Sequence, residues 1–424
     1  MKYTQKFLLV ILVLVLTATV SVAVAQDERP IAMASLVEVY TIDPAGGFDQ
    51  AVGSSLKQLY DSLFRYVDNP PQLEPWLVES WEVSDDGLTY TFKLREDAVF
   101  HDGSPVNAEA VVYSAERLLR VGQGPAGLFQ GVLSAGNTLA VDETTVQFTI
   151  DKPFGPFLDI LTWLFIVNPA VVEANLGGDD GQTFLATSDA GSGPFTVGRW
   201  LPGELYEFVA VADYWRGWPN ENHPTSVARI VVREASTRRL SLESGEVDVV
   251  DWMTVVDMNA LTAMEGYAVA PCCGMTLYDI KMNTVNGPTA DANLRKAISY
   301  AFDYEAALLI WEGQAPSVNG PLPPALSTME APAYQRDLDK AKEALAASAY
   351  PDGLDLEYVY VTGLEEERLT GLVLQDSLSD IGINITLTAV PWADAVATFA
   401  DPATAPELFP LYSSTAYANA DNYL

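Results

Sequence analysis

The chain has 424 residues, with 23 Lys and Arg against 57 Asp and Glu for a formal charge of −34, and 49% of it is hydrophobic. That apolar content suffices for large cores, which excludes a disordered, collagenous or polytopic membrane chain, and the acidity excludes a nucleic-acid binder, whose surface must be basic to displace phosphate counterions. The length exceeds what one ordinary core holds, so two or three compact units are expected.

In chain order, Lys2 and Lys6 form a short positive leader, Phe7 to Val20 is almost wholly apolar, and Ala23-Val24-Ala25 has the small residues of a signal cleavage site. Residues 1–25 therefore read as an export signal with Gln26 the mature start, the alternative being an uncleaved anchor of marginal spanning length. No Cys stands at the cleavage point, so lipid tethering by that route is excluded. Only two Cys occur, Cys272 and Cys273; being adjacent, they cannot staple distant loops, and they read as two small buried side chains or a vicinal disulfide.

Apolar Trp81 and Val83, then Leu88, Tyr90, Phe92 and Leu94, alternate with polar residues around Asp86-Gly87, which predicts a hairpin with one buried face. Next, Asn107 is placed to cap a helix whose apolar face is Val111, Val112, Ala115, Leu118 and Leu119 and which Gly122 ends. Val146, Phe148 and Ile150 predict a strand; 229–233 and 247–250 predict short buried strands joined by a helix from Ser236 to Gly245. Three helical stripes follow, Leu294/Ala297/Ile298/Ala301, Ala341/Ala344/Leu345 and Leu369/Leu372/Val373, the last leading into a strand through Ile381, Ile383, Ile385 and Leu387. Helix alternating with strand indicates an α/β layer. Breaks are expected near Pro169 to Gly193 and near Asn283 to Asp291.

Residues able to carry chemistry are few. His101 beside Asp102 would make a general base only if a carboxylate elsewhere oriented it; otherwise Asp102-Gly103 is a polar turn. With His223 as the only other histidine, no multi-histidine metal site is available. Asp85-Asp86, Asp179-Asp180 and Glu365 to Glu367 read as solvated loops or faces, and Gly191-Ser192-Gly193-Pro194 as a tight turn or backbone crossing, not a phosphate loop.

The ordered motifs carry more. Trp76, Glu79, Trp81, Asp85-Asp86-Gly87, Tyr90, Phe92 and Arg95, followed by Phe100-His101-Asp102-Gly103 and Ala108 to Ser114, resemble the signature of the extracellular solute-binding proteins of family 5, the peptide and nickel binding components of ABC importers. Similar motifs continue in family order: Gly191 to Phe195 with Trp200 and Asp213-Tyr214-Trp215, Leu242 to Val249, Met282-Asn283-Thr284, Leu294 to Asp303, Gly320 to Pro323, Asp339 to Lys342, Pro351-Asp352-Gly353, and Leu374-Gln375 to Ile383. The resemblance implies a periplasmic-binding-protein type II fold with two lobes and a subdomain inserted in the first. It divides the chain into residues 26–55, an insert at 56–187, a return at 188–283, and an incomplete second lobe at 284–424.

It further implies binding without bond-breaking: hinge closure on a small peptide or similar solute, then delivery to permease subunits by an exported, periplasmic or extracellular monomer that uses no cofactor or metal and binds no nucleic acid. Nickel or metal-chelate binding on the same fold, and an exported hydrolase using His101, are the alternatives. The ligand-binding residues it implies are Tyr40 and Thr41, Tyr278, and Ser413, Ser414, Thr415, Ala416 and Tyr417. Two departures from the family stand out. Ala416 occupies the position where peptide-binding relatives place an Asp for the peptide ammonium, a loss of roughly 1.5–3 kcal/mol for a free N-terminus. Relatives also continue past the position of Leu424, so a truncated second lobe is expected.

Overall fold

The computed structural model describes residues 29–68, 71–270, 276–323, 327, 334–399, 401–414 and 416–417. The leader, Cys272, Cys273 and Thr415 therefore lie outside the described residues. Among the described residues no helix is long and apolar enough to cross a membrane.

The first lobe is built on a five-stranded sheet in the order Val249–Val250, Ile31–Ser35, Ser226–Val231, Leu205–Ala210, Phe195–Leu201. The N-terminal strand runs parallel to both neighbours, Ile31 opposite Val227 and Met33 opposite Val249, while the two outer pairs are antiparallel. The second lobe has a four-stranded sheet in the order Leu277–Met282, Leu408–Ser413, Leu354–Val361, Ile383–Val390. Its core joins Leu294, Ala297, Ile298 and Ala301 of one helix to Ala341 and Leu345 of another and to Ile381, Ile383 and Ile385, as the stripes predict. Between the first lobe's strands lies the insert, an antiparallel sheet ordered Val78–Val83, Thr89–Leu94, Thr145–Thr149, Thr138–Asp142.

The insert shows why its sequence folds locally. The Asn107 side chain accepts from Ala110 N at 3.0 Å, and Gly122 closes the helix Ala108–Val121 in the left-handed conformation at φ 65°. Tyr90, Phe92 and Leu94 of the hairpin are buried against that helix, but Trp81 and Val83 are exposed. The expectation of one buried face fails there because Val78–Val83 is the edge strand, beyond the helix's cover; Trp81 packs only edge-on against Phe64 at 5.3 Å.

Further expectations are corrected. Leu277–Met282 pairs with Leu408–Ser413, so the first lobe does not continue to residue 283 but ends before this strand. Residue 56 does not open the insert, because Leu56 lies inside the helix Gln50–Leu59, whose Ala51, Val52, Leu56 and Leu59 are buried in the first lobe's core. The strands expected at 229–233 and 247–250 form as Ser226–Val231 and Val249–Val250. In the helix Glu365–Ser379 the buried face is Glu366, Glu367, Thr370, Gly371, Leu374, Ser377 and Leu378, and Leu372 faces solvent. The buried side mixes polar residues with Leu374 and Leu378, and only glycine fits at its middle because Tyr358 and Leu387 press there: a Cβ on Gly371 would come within 2.7 Å of the Tyr358 ring.

Where the chain returns from the insert it crosses the helix Gln50–Leu59 at backbone contact, since a Cβ on Gly191 would lie 1.9 Å from the Leu59 carbonyl oxygen and one on Gly193 2.5 Å from that of Gln58. The Gly191-Ser192-Gly193 run is thus a crossing that only glycine permits.

Candidate functional site: the junction of the lobes

Contacts between the described residues bring the lobes together at one junction. Trp252, just past the strand Val249–Val250, meets Tyr412 of the second sheet with ring centroids 5.2 Å apart. Trp392 Nε1 donates to Asp49 Oδ2 at 3.3 Å, Val255 N to Glu366 Oε1 at 3.2 Å, and Trp163 Nε1 to the Ala416 carbonyl at 2.8 Å. The second-lobe side chains Val361, Leu364 and Ala395 are buried in the first lobe's core cluster.

Around Tyr412 an aromatic wall forms. Tyr278, its neighbour across the antiparallel strand pair, lies at 4.9 Å, and Trp311 reaches both, at 5.2 Å from Tyr278 and 6.0 Å from Tyr412. Burial pushes the Tyr278 and Tyr412 hydroxyls far above the usual phenol range, with the charge of Glu366 and Glu367 adding to it. Burial also pushes Glu367 up to about 8, although Val361 N donates to its Oε2 at 2.8 Å. Glu366 and Glu367, expected on a solvated face, are instead buried on the second lobe's side of the junction.

On the first lobe's side the wall is held by buried arginines. Arg238, fully buried, donates to the carbonyls of Val232, Arg233 and Trp252 at 2.6–2.8 Å, which holds Trp252 at φ 52°, a conformation bulky residues rarely adopt. Arg229 donates to Ser35 Oγ at 2.7 Å and Asp251 Oδ2 at 3.2 Å, while burial raises the Asp251 carboxyl above its usual range against that guanidinium's pull.

The sequence-derived candidates fall around this junction in different ways. Tyr40 is exposed, and its hydroxyl accepts from Phe48 N at 3.3 Å; burial of the phenol oxygen and the nearby Asp49 raise its pKa. Thr41 Oγ1 accepts from Asp43 N at 3.1 Å, a turn contact. Ser413 donates to Asp279 Oδ2 at 2.9 Å, and Ser414 Oγ lies 3.2 Å from Thr276 Oγ1. Ala416 offers its carbonyl to Trp163, and Tyr417 is buried in the insert's core, so these two lie against the first lobe whereas Ser413 belongs to the second lobe's sheet. Sequence reading missed Trp252, Trp311, Tyr412 and Trp163. The lone signal was their aromatic type, because period-2 or 3.6 patterning does not distinguish a ring facing a junction from one facing a core.

His101 sits elsewhere, at the seam of insert and first lobe. Its Nδ1 lies 2.7 Å from Asp189 Oδ1 and its Nε2 2.9 Å from the Gly193 carbonyl. Both ring nitrogens thus face acceptors, an arrangement that favours the protonated ring against the opposing effect of burial and leaves neither nitrogen open to a substrate. His223 stacks on Trp218 at 3.9 Å, and among the described residues no group of three or more His, Cys, Asp or Glu comes together as a metal site.

Comparison with known proteins agrees with this architecture. The chain is 33% identical over 365 residues to the probable D,D-dipeptide-binding periplasmic protein of Escherichia coli strain K12, covering 84% of this chain and 69% of that one. Heme-binding protein A of Haemophilus influenzae is 28% identical over 80% of this chain and 66% of its own, so the chain spans about two thirds of the length of these relatives. An ABC transporter-associated periplasmic binding protein from Helicobacter pylori, solved with the peptide STSA, superposes with a TM-score of 0.83 at 24% identity, over 93% of this chain and 80% of that one, and shares its fold. With the family model matching residues 72–424, the chain belongs to the bacterial extracellular solute-binding proteins, family 5.

Proposed function

We propose that this protein is the extracytoplasmic substrate-binding component of an ABC importer, holding a small peptide or similar solute between its lobes and passing it unaltered to permease subunits. The observation that carries the reading is the aromatic wall, which takes Trp252 from one lobe and Tyr412, Tyr278 and Trp311 from the other. Rings on both sides give apolar and face-on contact to a guest without dictating its side chains, which suits capture of varied solutes. The names and bound peptide of the relatives support the same class of cargo. Export and residence outside the cytoplasm follow from this role and from the leader sequence. In this reading the candidates Tyr40, Thr41, Tyr278 and the 413–417 run line or flank the guest, and the protein works as a monomer without a cofactor.

The test is a thermal-shift screen against a randomised oligopeptide library, followed by mass spectrometry of the recovered ligand. A shift with chemically unchanged peptides supports the proposal, and Trp252→Ala should weaken binding at least tenfold. No shift with any peptide, or recovery of cleaved products, sinks it.

A further inference from the structure

Cations are scarce in this chain, and most described ones are spoken for. Arg29, Arg95, Arg117, Arg120, Arg199, Arg229, Arg336 and Arg368 each hold a carboxylate within 4 Å. Acids outnumber bases by more than two to one. Against so many acids, several cations without an ion pair gathered in one place call for a reason.

Three such cations stand together beside the junction. Lys57 places its ammonium 5.5 Å from the centroid of the Trp163 ring, the same indole whose N–H holds the Ala416 carbonyl at the crossing between lobes. Arg65 donates to the Lys57 carbonyl and lies over Trp76 at 4.8 Å; Arg216 lies over the same ring at 3.8 Å. None of the three forms an ion pair among the described residues. The one carboxylate that acts on Arg65, Asp61, is buried and occupied: it accepts from Trp76 Nε1, Tyr214 Oη, Ser192 Oγ and Trp215 Nε1 at 2.7–3.1 Å. Burial, and Arg65 after it, press the Lys57 ammonium toward its neutral form. Like charges held this close in a partly desolvated place cost stability unless an anion joins them.

We infer that Lys57, backed by Arg65 and set against Trp163, is the receptor for an anionic end of the guest, a carboxylate, so that the protein selects its cargo by that group and not by a free ammonium. The inference rests on the junction being the ligand site. It complements Ala416, whose side chain offers no carboxylate to an ammonium. The ring of Trp163 is fixed for the task on three sides, by Phe48 edge-on at 4.7 Å, by Ala416, and by Gly53, where a Cβ would come within 2.7 Å of the indole.

The experiment compares one randomised tripeptide library in three forms, free, N-acetylated and C-amidated, by titration calorimetry against the wild-type chain and Lys57→Met. The expected result is near-equal affinity for free and N-acetylated peptides, at least tenfold weaker binding of the amides, and loss of that discrimination in Lys57→Met. Equal binding of acids and amides by the wild-type protein overturns the inference while leaving the importer reading intact. A preference for free over N-acetylated peptides overturns it as well. Absence of binding by all three forms removes both. Should Lys57→Met fail to fold, the wild-type acid-to-amide ratio decides alone.

Discussion

His101 illustrates how a residue's neighbours fix its chemistry. Burial opposes its charge, but the Asp189 carboxylate and the Gly193 carbonyl outweigh that and raise its pKa above 6.5. A group whose folded pKa is raised lends stability that is complete below the unfolded value and lost as pH climbs through the folded one. The chain should therefore lose stability above about pH 6.5, by at most ~1.4 kcal/mol per pH unit from this group. Thermal unfolding of His101→Gln across pH 5–9 should show a flatter profile, and an unchanged slope would refute the assignment. Glu367 acts in the same direction for a different reason. Burial keeps its carboxyl protonated up to about pH 8, whereas the unfolded chain ionises it near 4.5, so the stability this group lends falls as pH climbs between those values and is fully lost above about pH 8. Glu367→Gln keeps an acceptor for Val361 N and should stabilise the chain by roughly 1–2 kcal/mol at pH 9 while changing little at pH 5. Urea midpoints at the two pH values measure it. Neither group was legible from sequence as more than a turn or an acidic face: Asp189, which sets the character of His101, lies 88 residues away, and the burial that sets that of Glu367 comes from tertiary packing.

At the level of elements, the helix Ala108–Val121 was readable to its ends, since cap, stripe and terminating glycine all lie within the helix's own sequence. The helix Glu365–Ser379 was readable as a helix but not as to its face. Tyr358 leaves no room for a side chain at Gly371, and the buried face mixes Glu366, Glu367, Thr370 and Ser377 with Leu374 and Leu378, so a hydrophobic count alone misplaces it. Elements are also tied by ion pairs that no local pattern reveals. Arg117 on the insert's helix grips Asp43 of the first lobe with two hydrogen bonds of 2.7 and 2.8 Å, both side chains almost without solvent contact. Asp43→Ala would strand a buried guanidinium and should cost about 3–5 kcal/mol, whereas the double variant with Arg117→Met should recover much of that. A single-variant loss under 1 kcal/mol in urea unfolding would show that the tie is not the desolvated pair described.

For the whole molecule, family motifs in order conveyed the two-lobed plan, and the alternating helix and strand patterns conveyed its α/β class. The junction was not legible, since it is assembled from residues as far apart as Trp163 and Ala416. The lobes meet through single hydrogen bonds, ring edges and the packing of Val361, Leu364 and Ala395, a junction whose relative motion should respond to a guest. Small-angle scattering with a bound peptide should give a smaller radius of gyration than without, and identical curves under saturating ligand would argue against closure.

The N-terminal strand of the first lobe has a history as well as a place. Ile31–Ser35 finds its neighbours only in Ser226–Val231 and Val249–Val250. A chain emerging from its N-terminus must therefore carry this apolar segment unmatched until Ser226–Val231 has followed, while the insert, made of near neighbours in sequence, can already condense. Maturation is thus ordered by topology: the middle sets first, and the earliest residues to appear are among the last to be secured, which makes them the natural target of any holding factor that guards the nascent chain.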